Sequence, residues 1–232
     1  MEKEVKRFCE WFDEQLSEMF KESEGGKLRA RKGKLVEEGA DKLVNIAWNM
    51  LGRKEQIVIR RRMFLLPAPG NKKDGYKIGL DRQIYIGGDS PDKLVLCVEC
   101  KAYAEVAMYK RVLLDCRIMK EALKHEIGQE AAEKVEFCLL LLESQLGGDF
   151  SKEIVPKERS PAVNAIDALF PDVNLEVLVL MDGERDINQP IHKEEFRKRL
   201  NPRRVKRAIE YFRQVLQQAL RRVQSTVINN CL

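Results

Sequence analysis

KIGLDRQIYIGGDSPDKLVLCVECKAY, Lys77 to Tyr103, decides how the chain is read. Residues 78–86 form one extended arm, with β-branched and aromatic residues at Ile78, Ile84, Tyr85 and Ile86. Gly87-Gly88-Asp89-Ser90-Pro91-Asp92 is a run of turn formers. Residues 94–102 form the second arm. It is apolar on both faces until Glu99, as suits a central strand covered on both sides.

Charges at the end of a buried strand are costly unless they have a task. Glu99 and Lys101 are two apart and so share one strand face. A turn centred near Ser90 sets opposite each other residues whose numbers sum to about 180. That register pairs Asp81 with Glu99, and directly opposed residues have Cβ atoms roughly 5 Å apart. Asp81, Glu99 and Lys101 are therefore expected to gather at one end of the hairpin. Two carboxylates at that separation can share one hard divalent cation, with Lys101 beside the water to be activated.

In Asp81 and Glu99-Cys100-Lys101 the chain resembles the PD-(D/E)XK nuclease superfamily, the fold of most type II restriction endonucleases and of several repair nucleases. The resemblance runs from about Glu37 to Leu142. An acidic-x-Lys triplet also occurs at Glu4-Val5-Lys6, where a charged helix explains it. What marks the second instance is its context, at the end of an apolar strand with an acid in register. Leu80 stands where the family often has proline. A literal Pro91-Asp92 exists, but Asp92 precedes Glu99 by seven residues on nearly the same strand, roughly 23 Å away and too far to share a metal.

The resemblance implies Mg²⁺, with Mn²⁺ able to substitute, held by Asp81, Glu99 and the backbone carbonyl of Cys100. Lys101 would position the attacking water and help deprotonate it, leaving a 5′-phosphate and a 3′-hydroxyl. In such proteins a helix before the core hairpin often adds an acid. Glu37, at the edge of the apolar face of a helix over residues 35–51, is the candidate. Glu105 tops the core-facing stripe Tyr109, Val112, Cys116, Met119 and Leu123 of a helix expected over residues 103–125. It is the candidate to orient Lys101 from behind the metal.

The 232 residues are 44% hydrophobic and 34% charged, enough for one domain with a real core. A net charge of +5 permits a polyanionic partner without demanding one. Cys97 and Cys100 form the one CxxC among six cysteines, but on a strand they point to opposite faces, so they read as small core residues rather than zinc ligands. The chain has two histidines and no GxGxxG or GxxxxGK[ST] loop, which weighs against histidine-centred triads, histidine-metal nucleases and nucleotide cofactors. No apolar run approaches the ~20 residues of a membrane span. A cytoplasmic, prokaryotic protein is expected.

Around the hairpin, residues 2–24 carry the helical stripe Val5, Phe8, Cys9, Phe12, Leu16 and Phe20, closed by Gly25-Gly26. Residues 27–34 (KLRARKGK) are basic and read as a loop able to meet phosphate. Residues 56–66 begin as a strand broken by Arg60, Arg61 and Arg62, before a loop over residues 67–71. Residues 135–142 and 175–181 are further buried strands. Long polar loops follow each, and the second contains Arg185, Asn188 and Gln189. Arg60, Arg61, Arg62, Lys110, Arg185, Asn188 and Gln189 are the candidates to contact DNA. Asn201-Pro202 opens a last amphipathic helix over residues 202–224.

The expected fold is α/β, a central mixed β-sheet flanked by helices in a restriction-endonuclease-like core over about residues 35–182. Helices 2–24 and 202–224 would pack on it to make residues 1–232 a single catalytic domain. The expected function is Mg²⁺-dependent, sequence-specific cleavage of double-stranded DNA by a homodimer, as in a type II restriction enzyme. The alternatives are a structure-specific repair or junction nuclease with the same core, and a non-catalytic DNA-binding protein.

Overall fold

The computed structural model describes residues 1–22, 25–145, 161–182 and 193–229. In chain order the elements are α1 (Glu2–Glu22), α2 (Gly25–Leu51), β1 (Ile57–Arg60), β2 (Phe64–Ala68), β3 (Asn71–Ile78), β4 (Arg82–Ile86) and β5 (Leu94–Glu105). Then come α3 (Val106–Ile127), α4 (Gln129–Ala132), β6 (Glu136–Gln145), α5 (Pro161–Asp167), β7 (Leu175–Val179), α6 (Lys193–Lys198) and α7 (Pro202–Asn229). Five strands make one sheet in the order β1-β4-β5-β6-β7. β4 runs antiparallel to β1 and β5, whereas β5, β6 and β7 are mutually parallel. The sheet is therefore mixed, and α3 with α4 makes the crossover from β5 to β6 that parallel neighbours require.

Alternation along the strands divides the core in two. Ile84, Ile86, Leu96, Val98, Cys100, Cys138, Leu140 and Leu142 face a layer made by α1, α2, α6 and α7. Tyr85, Cys97, Leu139, Leu141, Val177 and Val179 face α3, α5 and the base of a separate β2–β3 hairpin. This is the expected central sheet flanked by helices. The last helix packs into the core along Val205, Ala208, Ile209, Phe212 and Leu216, and its N-cap is Asn201, whose side chain accepts from the Arg203 N–H at 2.8 Å.

Four sequence expectations are corrected. The arm over residues 78–86 is split: β3 ends at Ile78 and β4 begins at Arg82, with Gly79 to Asp81 outside either strand. Gly79 is the cause, because there the chain passes against the carbonyl of Arg62, leaving no room for a side chain. The basic residues 27–34 are not a loop but the first turns of α2, since Lys, Arg, Leu and Ala are good helix formers and Leu28 packs against the core. The loop expected at residues 67–71 is mostly strand: Pro67 and Ala68 end β2 and Asn71 opens β3, with Gly70 at φ 78° between them. Finally, α3 starts at Val106, so residues 103–105 prolong β5.

Candidate active site

The antiparallel register of β4 and β5 pairs Arg82 with Val98, Gln83 with Cys97 and Ile84 with Leu96, so paired numbers sum to 180 as expected. A bulge at Ile84/Tyr85 absorbs the turn. Asp81 is one step beyond the end of this ladder, level with Glu99. Because β4 stops at Arg82, the edge of β5 beyond Val98 has no β4 partner. The Cys100 N–H on that edge donates instead to Asp81 Oδ2 at 3.0 Å, and the Asp81 N–H donates to Glu99 Oε2 at 3.4 Å. In a strand the N–H and C=O of one residue face the same neighbour, so the Cys100 carbonyl shares this open edge with the Asp81 carboxylate.

Lys101 closes the group. Its Nζ donates to Glu99 Oε1 and lies 3.6 Å from Asp81 Oδ2. The Asp81 and Glu99 side chains are only 15% and 12% exposed, and that of Lys101 31%. Burial, reinforced by the negative charge of Asp81, pushes the Glu99 carboxyl above its usual range despite the nearby ammonium. Burial works in the other direction on Lys101, but Glu99 and Asp81 outweigh it and hold Lys101 as a cation. The Cys100 thiol, buried and next to Asp81, is raised well above its normal value and is inert as a nucleophile.

The donor chemistry fits a hard divalent cation. The carboxylates of Asp81 and Glu99 stand together at an open strand edge that the Cys100 carbonyl also faces, oxygen donors of the kind such a cation takes. Among the described residues no group of three or more His, Cys, Asp or Glu side chains is placed to share an ion, so this is a two-carboxylate arrangement.

The other candidates lie elsewhere. Glu37 is engaged by Arg82, whose Nη1 donates to Glu37 Oε2 at 2.9 Å, and is not gathered with Asp81 and Glu99. Glu105 occupies the N-cap position of α3, at the end of β5, without a side-chain capping hydrogen bond. Four residues along a strand are ~13 Å, against one turn along a helix, and the Lys101 ammonium is engaged by Glu99. Arg60 donates to Asp89 Oδ2 at 2.6 Å and lies over the Tyr85 ring, Arg61 donates to the Gly79 carbonyl at 3.3 Å, and Arg62 pairs with Glu126 at 3.3 Å. Lys110 is exposed on α3. Arg185, Asn188 and Gln189 fall outside the described residues. Two polar residues were not anticipated. Fully buried Gln83 clasps the β1–β2 crossover through the N–H and carbonyl of Arg62. Arg82 links α2 to Asp81; its signal was a cation next to Asp81 and two acids, Glu37 and Asp41, one helical turn apart.

A mixed sheet flanked by helices, with acids and a lysine grouped at the end of its central hairpin, defines the class as restriction-endonuclease-like. No family model matches the chain. It is similar to the type II restriction enzyme DdeI of Desulfomicrobium norvegicum, with 31% identity over 212 residues that span 83% of each chain. The chain belongs to the family of type II restriction enzymes, which are site-specific deoxyribonucleases.

Proposed function

We propose that the protein is a Mg²⁺-dependent type II restriction endonuclease with a PD-(D/E)XK site. It cuts double-stranded DNA at a specific sequence and leaves 5′-phosphate and 3′-hydroxyl ends. The observation that carries the reading is the convergence of Asp81, Glu99 and Lys101 where β4 parts from β5. Asp81, Glu99 and the Cys100 carbonyl hold the cation, for which Mn²⁺ can substitute. When bound, it offsets the negative charge that develops on the scissile phosphate. Lys101, kept charged by Glu99 and Asp81, positions the attacking water by donating to its oxygen, and its positive charge beside that oxygen helps deprotonate the water by favouring hydroxide.

The active unit is a homodimer in the prokaryotic cytoplasm that uses no nucleotide cofactor. Residues 1–232 act as one catalytic domain, a reading supported by the burial of α1 and α7 in the same core cluster as β4 and β5. Among the described residues, no helix is long and apolar enough to cross a membrane.

The test is digestion of a long sequenced DNA with Mg²⁺ and with EDTA, alongside Lys101→Ala. Discrete fragments that require Mg²⁺ and vanish in the variant are expected. Cleavage undiminished in Lys101→Ala would sink the site. Preference for branched over linear DNA would favour a repair nuclease, and metal-independent, salt-sensitive binding without scission would favour a DNA-binding protein.

A further inference from the structure

Asp81 stands where the backbone has left one strand and not yet entered the next, so no β-ladder fixes it. What fixes it comes from two sides. From β5, the Cys100 N–H holds the carboxylate at 3.0 Å. From the opposite face, Arg82 Nη1 donates to the Asp81 carbonyl at 2.9 Å. Side chains alternate along a strand, so Arg82 points away from Glu99 and Lys101, toward α2. There Asp41 Oδ1 accepts from Arg82 Nε at 2.7 Å and Glu37 Oε2 accepts from Nη1 at 2.9 Å. The Arg82 side chain is only 19% exposed. Its two acids sit one turn apart on a helix whose other face, Val36, Ala40, Leu43, Val44 and Ala47, is buried at 1% exposure or less. A rigid, core-anchored helix is thus connected through one guanidinium to the backbone of the acid at the strand break.

We propose that Arg82 is the positioning residue for Asp81, a strut from Glu37 and Asp41 of α2 that sets where the Asp81 carboxylate stands and hence how well the pair Asp81–Glu99 takes a divalent cation. Arginine suits this task because its planar fork serves two acids and a carbonyl at once, which a lysine ammonium on a flexible stem does not do. Glu37 then influences the metal site without being a ligand. The inference rests on the reading of Asp81 as a metal ligand.

Three variants test it: Arg82→Met removes the strut, Arg82→Lys keeps the charge but loses the fork, and the double variant Glu37→Gln/Asp41→Asn keeps Arg82 but weakens its hold on α2. Mn²⁺ binding to each protein without DNA is followed by electron paramagnetic resonance of the free ion, with thermal melting as a check of folding. Single-turnover cleavage is then measured across a metal titration. About tenfold weaker Mn²⁺ binding is expected in Arg82→Met and in the double variant. The cleavage defect should shrink as metal is raised, and Arg82→Lys should fall between them and the parent. Should Arg82→Met fail to fold, Arg82→Lys and the double variant carry the test. Unchanged Mn²⁺ binding in folded variants would overturn the strut, and so would a cleavage loss that excess metal does not recover. Asp81→Asn separates the two ideas. If it is inactive while the Arg82 variants bind metal normally, only the strut fails. If it cuts DNA at the parent rate, the reading of the site fails with it.

Discussion

Burying Glu99 beside Asp81 favours the protonated carboxyl in the metal-free fold. Its folded pKa lies above the unfolded value, so between the two the folded chain binds more protons than the unfolded one. Stability therefore falls as pH rises from the ordinary value of 4.5 through the folded pKa. Lys101 has the same sign, at higher pH. Its pKa is raised as well, so its stabilising pairing is complete below the ordinary 10.5 and is lost only as pH climbs through the folded value. The site thus sets Glu99, whose charge burial disfavours, beside an ammonium that relieves part of that cost. Glu99→Gln should make the metal-free protein more stable at pH 7 by on the order of 1 kcal/mol, roughly 2–4 °C in melting temperature, while abolishing cleavage. Lys101→Ala leaves Asp81 and Glu99 buried without their cation and should cost about 1–3 kcal/mol. Thermal melts in EDTA at pH 5 and pH 7 check both, with the advantage of Glu99→Gln shrinking at the lower pH. A Glu99→Gln protein that melts below the parent at pH 7 would contradict the charge balance.

The break between β3 and β4 is what turns a hairpin into a site, and it depends on Gly79. A Cβ there would come within 2.4 Å of the Arg62 carbonyl oxygen and 2.9 Å of Met63 Sδ. Gly79→Ala must push the link off the β1–β2 crossover and carry Asp81, two residues on, with it. It is expected to cost roughly 1–3 kcal/mol and to slow single-turnover cleavage about a hundredfold, the scale of a 1 Å misplacement. Gly52 is the control: its φ of +60° strains an alanine but a Cβ meets nothing within 4 Å, so Gly52→Ala should melt lower and cut normally. A Gly79→Ala protein with the parent cleavage rate would remove the break from the mechanism. The same element shows what was legible from sequence. Side-chain period and turn chemistry are local, so the register of the hairpin, and with it the meeting of Asp81, Glu99 and Lys101, could be worked out from numbering alone. The break could not, because Gly79 is required by a contact with Arg62, seventeen residues away in sequence. Glu105 looked helical because the strand-to-helix boundary falls in Tyr103-Ala104-Glu105, a stretch with no breaker to mark it. The link between Glu37 and Arg82 was not legible either, because the two are forty-five residues apart in sequence.

At the scale of the molecule, one chain presents one group of Asp81, Glu99 and Lys101, and a duplex presents two strands to cut. A monomer must release or turn between cuts, whereas a two-fold dimer places one site on each strand of a palindrome in a single encounter. The proposed homodimer therefore predicts more than a sedimentation coefficient. It predicts that a dimer with one inactive subunit nicks. If parent protein and Lys101→Ala are unfolded together in equal amounts and refolded, about half the dimers should be mixed. Supercoiled plasmid with a single site should then accumulate open circles early in the reaction, in excess of the amount left by undiluted parent protein, which should go largely to linear product. Lys101→Ala suits this use because it removes an ammonium from the site and leaves the helices of both sheet faces in place. A mixture that merely halves the rate, with the same ratio of open-circular to linear product as the parent alone, would mean that each chain cuts independently. The dimer would then have to be given up even if the site itself stood.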